Sequence, residues 1–225
     1  MCHLGPLDAI RKTAPSRISW SVLFLKAYAL LARETPVFRR TWMSFPWPSI
    51  YQHHTSVAML AIQREYRGEP WLFCGRFLSP ESASLPQLQR QLERYQQAPV
   101  DDVFKRFLRL SMIPNPFRRF IWWCNMQLRG RTRARRVGTF LLSTLAGHGA
   151  EIDCPPSFQT GVLSYGPIDA QGYSRVTLAY DHRLMDGVLV ADSLRRIEQI
   201  LNGALTDELK ALSGIGPHRP PSTPA

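Results

Sequence analysis

In the stretch "LAYDHRLMDG" from Leu178 to Gly187, His182 is followed four residues later by Asp186 and then by Gly187. An imidazole has an ordinary pKa of about 6.5, close enough to neutrality for it to act as a general base toward a leaving proton. Asp186 suits a helix N-terminus, where free backbone N–H groups and the helix dipole favour a carboxylate. Gly187 then permits close packing as the helix opens. A strand-end histidine with a purely structural role is the competing reading, and the spacing alone is a modest signal. Its position strengthens it: a β-branched run precedes the motif and a helical pattern follows. Strand ends that feed helix starts are where α/β folds tend to place chemistry.

The remaining chemistry-bearing residues are less organised. His53 and His54 are adjacent in "YQHHTS", without metal-ligand spacing or a nearby carboxylate cluster, so a surface or strand-end role is expected and no metal. His148, in "AGHGAE", reads as a loop residue. Cys2, Cys74, Cys124 and Cys154 are far apart with no C-x-x-C pair, and the N-terminus is not signal-like. Free thiols and a cytoplasmic location are the expectation.

The elements that must position His182 are legible from periodicity. "ISWSVLFLKAYALLARETP" predicts a largely buried helix over Ile18–Arg33, stopped by Pro36. The longest apolar run, Ser21 to Ala32, is too short to span a bilayer and contains Lys26. "TWMSFPWPSIY" holds two prolines and predicts a loop or short edge strand. Thr55–Tyr66 and "WLFCGRFL" read as a hairpin around "RGEP". Ser84 caps a helix that carries Leu85, Leu88 and Leu92 on one face. Two further helices are expected, at Asp101–Ser111 and Pro116–Leu128, split by "IPNP". A strand at Val137–Ser143, the pair "TGVLSY" and "SRVTLAYDH", and a helix over Gly187–Leu201 complete the pattern. Interleaved strands and helices make the class α/β (or α+β) with a mixed sheet. The length suits one domain over residues 1–213, and the Pro-rich tail 214–225 is expected to be disordered.

"YDHRLMDG" resembles the "DHR-x-x-DG" signature of the 2-oxoacid dehydrogenase acyltransferases, which share a fold and a related H-x-x-x-D-G motif with chloramphenicol acetyltransferase. Upstream, "VGTFLLSTLAGHGAE" resembles that family's "GGTFTISNLG" strand and turn. Farther back, "ISWSVLFLKAYALLARETPVFR" and "SVAMLAI" resemble its lysine-alanine helix and the adjoining strand. The resemblance covers most of residues 7 to 213.

It implies a chloramphenicol acetyltransferase-like two-layer sandwich and a homotrimer. It also implies acyl transfer between a thioester, of coenzyme A or lipoamide, and an acceptor. In that family the histidine takes the thiol proton, the role that falls to His182. The serine that donates to the oxyanion maps onto Ser143, with a serine bonding its own backbone as the plain alternative. Asp186 maps onto the motif's acid, which holds the loop. The family places histidine and serine on different subunits, so His182 and Ser143 are expected to lie far apart within one chain. His148, close behind Ser143 in sequence, is expected to be a loop residue, with contact to the pantetheine or acyl group as the lesser alternative.

The chain departs from the pattern in several places. The lipoyl domain, its linkers and the subunit-binding domain have no counterpart, so no lipoyl attachment site is expected; with acyl-coenzyme A as the expected donor, the chain either serves a lipoyl domain on another chain or acylates a small molecule or lipid. The catalytic domain's first strand and helix are also without a counterpart, and with them an arginine that often pairs with the motif's aspartate. "FLLST" in place of "FTISN" puts Leu141 where the family has a polar residue. A non-catalytic trimeric scaffold of the same fold, or a peripheral membrane-binding relative, is the alternative function.

The residues from about 101 to 136 have no counterpart in the complex-bound enzymes. Between Lys105 and Arg136 lie ten basic residues and no Asp or Glu, within a chain of formal charge +11. Interleaved with Phe120, Trp122 and Trp123, this segment has three readings: an interfacial helix on an anionic membrane, a wall of an acyl pocket, or a solvated face over core aromatics. Nucleic acid is disfavoured because no recognisable binding motif accompanies the charge.

Overall fold

The computed structural model describes residues 1–14, 16–153, 155 and 157–213. The chain begins with a short strand β1 (Cys2–His3), helix α1 (Gly5–Thr13) and helix α2 (Trp20–Glu34). A hairpin follows, formed by β2 (Arg40–Met43) and β3 (Ser49–Gln52), and then the long pair β4 (Val57–Tyr66) and β5 (Glu69–Leu78). Helices α3 (Leu85–Gln97), α4 (Val100–Val103), α5 (Lys105–Ser111), α6 (Asn115–Gln127) and α7 (Gly130–Val137) lead to β6 (Phe140–Leu142). Strands β7 (Gly161–Tyr165), β8 (Tyr173–Ser174) and β9 (Val176–Tyr180) precede α8 (Gly187–Ile200) and α9 (Thr206–Leu212), which one π-helical turn joins. The expected disordered tail, 214–225, lies outside the described residues, as does Cys154. Cys2, Cys74 and Cys124 are free thiols.

The central sheet has the order β5-β4-β6-β7-β9. Its inner pairs, β4 with β6 and β6 with β7, are parallel, and its outer pairs are antiparallel. Alternate residues of these strands, such as Leu60, Phe140, Leu142, Leu163 and Leu178, point to one face and meet α2 in the main core. Helices α3 and α8 flank α2 on that face, giving the mixed sheet and helical layer that the sequence predicts. Helix α2 is apolar on most sides because it is surrounded: from Val22 to Ala32 only Leu30 is less than fully buried. Its one buried cation, Lys26, pairs with Glu208 of α9 at 2.5 Å. Leu85, Leu88 and Leu92 are all buried, and the Gln87 side chain accepts from the Ser84 N–H at 2.9 Å, closing the N-terminus of α3.

Three expectations are corrected. "TWMSFPWPSIY" forms the β2–β3 hairpin, its prolines lying between the two strands or just before β3, where no ladder bond is lost. Asp101–Ser111 is two helices broken at Phe104, whose ring stacks on Phe73 at 4.5 Å in a second, smaller core. Val137 ends α7 instead of starting a strand, because Gly138 at φ +94° turns the chain before β6. Of the two places expected for His53, the structure shows the strand end: it is buried at 8% exposure just past β3, its ring edge-on to Tyr51 at 4.6 Å.

Candidate active site

The motif "GTFLLST" is built as a clamp. The Thr139 hydroxyl accepts from the Val57 N–H at 3.0 Å, and the Thr139 N–H donates to the Val57 carbonyl at 2.7 Å, fixing the start of β6 to β4. A Cβ on Gly138 would stand 2.4 Å from the Met59 side chain, so this approach requires glycine. At the other end Ser143 follows β6 directly, its N–H donating to the Leu163 carbonyl at 3.1 Å. Thr144 secures the next turn: its hydroxyl donates to the Tyr165 carbonyl at 2.7 Å and accepts from the Ala146 N–H at 3.1 Å.

Ser143 opens on a cleft of about 1290 Å³. Tyr165 stands in its wall, with its hydroxyl 2.9 Å from that of Ser21 and its ring stacked on Phe24 at 4.3 Å. Burial pushes the Tyr165 phenol above its ordinary range. Arg17, Arg64 and His148 also line the cleft. Arg64 is held by the Tyr95 and Ala98 carbonyls at 2.5 and 3.1 Å. His148 is exposed on a single turn, Ala146–His148, as a loop residue should be.

The loop carrying His182 is anchored at both ends. The Asp181 N–H donates to the Thr160 carbonyl at 3.0 Å, Met185 is buried, and the Asp186 carboxylate caps α8 by accepting from the Leu189 N–H at 2.9 Å. Sequence reasoning passed over a further device. Asp181 accepts from both the backbone and the side chain of Arg183, at 3.1 and 2.8 Å, which closes the turn over two residues. Hydrogen bonds from Arg183 hold the Asp181 carboxyl below its usual range. The D-x-R spacing within "DHR" was the available signal. His182 is thereby presented outward, exposed, with its ring 5.3 Å from that of Tyr180.

Gly187 has a different role from the one expected. A Cβ there would meet only the Tyr180 hydroxyl at 3.5 Å, an ordinary contact, so close packing does not demand glycine. Asp186 is exposed and, among the described residues, forms no ion pair. Its side chain instead accepts the N-cap bond from the Leu189 N–H.

Ser143 and His182 are not brought together within the chain. The cleft at Ser143 does not include His182, and the two residues share no hydrogen bond. Among the described residues, no group of three or more His, Cys, Asp or Glu is placed to hold a metal ion. His53 is the polar residue that the sequence undervalued: its Nε2 is buried without a hydrogen-bond partner among the described residues. Desolvation, with His54, Arg133 and Arg39 nearby, pushes its pKa down to about 4.

No family sequence model matches this chain, and no curated protein matches it by sequence. Solved structures do match by fold. One is a dihydrolipoamide acetyltransferase of Azotobacter vinelandii, studied for the role of a serine, a histidine and an asparagine in its catalytic mechanism. It superposes with a TM-score of 0.61 at 16% identity, over 94% of this chain and 80% of that one. A truncated catalytic core of the 2-oxoacid dehydrogenase multienzyme complex from Thermoplasma acidophilum gives a TM-score of 0.62 at 10% identity, over 90% and 84% of the two chains. Chloramphenicol acetyltransferase gives 0.56 at 16% identity, over 89% and 85%. At these identities the likeness is one of fold.

Proposed function

We propose that this chain, which has the fold of the 2-oxoacid dehydrogenase acyltransferase cores and of chloramphenicol acetyltransferase, is an acyltransferase acting on a coenzyme A or lipoyl thioester, with its site assembled between subunits of a homotrimer. His182 takes the proton of the acceptor thiol or hydroxyl as that atom attacks the thioester carbonyl. The resulting oxyanion receives a hydrogen bond from Ser143 of the adjoining subunit. Collapse of the tetrahedral intermediate expels the donor's thiolate, which His182 reprotonates. Charge and protons balance without a metal or redox partner.

The observation that carries this reading is the pair of half-sites at opposite ends of one sheet. His182 is exposed on a loop locked by Asp181, Arg183 and the Asp186 cap, while Ser143 stands at the mouth of a large cleft. Each end lacks what the other holds, so apposing two copies completes the constellation. The cleft volume exceeds the usual ~300–1,000 Å³ of small-ligand pockets, in keeping with an extended thioester, and Arg17 and Arg64 suit its phosphates. The Azotobacter enzyme's asparagine stands four residues after its histidine, the same spacing that separates Asp186 from His182 here, where the carboxylate caps α8.

The test is release of thiol from short-chain acyl-coenzyme A, with wild type beside His182→Ala. Loss of a general base is expected to lower the rate by about 10²–10⁴-fold. Equal rates for the two proteins would sink the proposal and leave a scaffold of the same fold.

A further inference from the structure

We propose that the outward face of α6, with the loop between β2 and β3, docks on the surface of an anionic lipid bilayer. Helix α6 packs on α7 along one side, but none of its side chains joins either hydrophobic core cluster and only Asn125 is buried, so its outward face is uncovered among the described residues. Large rings crowd its other sides. Phe117 and Phe120 are 65% and 64% exposed, and Trp47, on the β2–β3 loop, is 71% exposed.

Single exposed apolar residues are ordinary, but here several rings on and beside α6 touch one another. Phe45 meets Trp123 edge-on at 5.2 Å, Trp123 stacks with Phe120 at 6.4 Å, and Trp122 meets Phe158 edge-on at 5.5 Å. Trp122, Trp123 and Phe158 line a groove of about 550 Å³, together with Arg118 and Arg119.

Charge supplies the independent observation. Among the described residues, none of the ten basic side chains between Lys105 and Arg136 forms an ion pair with an Asp or Glu. The segment therefore presents an uncompensated positive field beside an aromatic face. That is the composition of a helix lying in a bilayer interface, with rings at headgroup depth and guanidinium groups on lipid phosphates.

Two other occupants fit less well. Apposing the same face of a second copy would set arginine against arginine in a chain of net charge +11. A polynucleotide would stack on the rings, yet it would leave uncovered the aliphatic surface of Met112 and Leu128, both exposed at the ends of α6. The face is also joined to the His182 loop. Arg133 donates to the Trp42 and Phe158 carbonyls at 2.8 and 2.9 Å, and Arg183 lies over the Trp42 ring at 5.5 Å.

The test is sedimentation of the full chain with vesicles of phosphatidylcholine, alone or mixed with phosphatidylglycerol. The expected result is binding to the mixed vesicles at low salt, release at high salt, and at least about tenfold weaker binding for a Phe120→Ser, Trp123→Ser double variant with an unchanged circular dichroism spectrum. Three results would overturn the proposal: no sedimentation at low salt, wild-type binding by the double variant, or tighter binding to a single-stranded oligonucleotide than to vesicles. Dissociation of an oligomer by the same substitutions, with vesicle binding absent, would assign the face to a second copy. None of these outcomes bears on thiol release.

Discussion

Ser143 and His182 leave the central sheet from opposite ends. Leu142 pairs with Leu163, and Ser164 pairs with Thr177, so Ser143 emerges beside the start of β9. His182 lies two residues past Tyr180, the last residue of β9. At about 3.3 Å per residue and about 4.8 Å between strands, Ser143 and Tyr180 are roughly 14 Å apart, with His182 farther still. No rotation of two side chains closes such a gap.

The proposed site between subunits predicts complementation between chains. Homotrimers of Ser143→Ala or of His182→Ala alone each lack one group at every site. Trimers formed by refolding the two variants together at equal amounts hold intact pairs at about a quarter of their interfaces. Thiol release is expected to recover to about that fraction of the wild-type rate. Recovery no greater than the sum of the two separate variants would show that the residues do not act across subunits.

Ser143→Ala alone keeps the histidine and the cleft. Losing one oxyanion donor typically costs about 2.7–4 kcal/mol of transition-state stabilisation, or about 10²–10³ in kcat. KM should change little, because the oxyanion forms only after attack. A variant that lost affinity but kept kcat would place Ser143 in ground-state binding instead.

The extent to which these features were legible differs by cause. Helices α2 and α3 and the β4–β5 hairpin stand out because a single buried face or surround dictates their apolar pattern. Helix α7 left no such trace: it is a run of arginines, seated by Gly130 against the Tyr51 ring and by Ala134 and Val137. The β2–β3 hairpin hid behind its prolines. The lowered pKa of His53 draws partly on the charge of Arg133, eighty residues away, and no local pattern encodes that. His182 and Ser143 were readable as motif positions, but their opposed placement depends on the parallel and antiparallel registers of β6, β7 and β9.

Lys26 and Glu208 tie three helices together. Glu208 accepts from the Lys26 ammonium at 2.5 Å and, through its other oxygen, from the Leu85 N–H at the start of α3 at 2.9 Å. Removing one partner of a buried pair typically costs about 3–5 kcal/mol, and the partial exposure of Glu208 reduces this to about 2–3 kcal/mol. Glu208→Ala should therefore lower the urea midpoint strongly, by stranding Lys26. Lys26→Met should cost less, because Glu208 reaches solvent. Equal costs would show that the ammonium is not stranded.

Tyr28 and Gly161 meet without room for a methyl group. A Cβ on Gly161 would stand 2.2 Å from the Tyr28 hydroxyl, in a core where the Tyr28 ring stacks on Phe140 at 4.1 Å. That hydroxyl is buried and has no hydrogen-bond partner among the described residues. Gly161→Ala is expected to cost about 1–3 kcal/mol by overpacking. Tyr28→Phe should be neutral or stabilising, since it deletes an unpaired buried hydroxyl. Combining them should recover most of the Gly161→Ala loss, giving a coupling of about 1 kcal/mol or more in a double-mutant cycle. Additive effects would mean that the backbone at β7 moves instead.

The pH dependence of stability should carry the signature of His53. Its folded pKa, about 4, lies below the ordinary value of about 6.5, because burial and the neighbouring Arg133 and Arg39 disfavour the imidazolium. Between these two values the unfolded chain binds the proton and the folded chain does not, so stability rises with pH across that window. The contribution is complete above about pH 6.5, falls as the pH drops toward 4, and is lost below it. Its full size is on the order of 3 kcal/mol, the free-energy equivalent of that displacement. A His53→Gln variant removes the titration while keeping a polar side chain in the site. Urea midpoints measured across this range should therefore fall less steeply with acidification for His53→Gln than for wild type. Parallel curves for the two proteins would show that the buried imidazole is not the group that titrates.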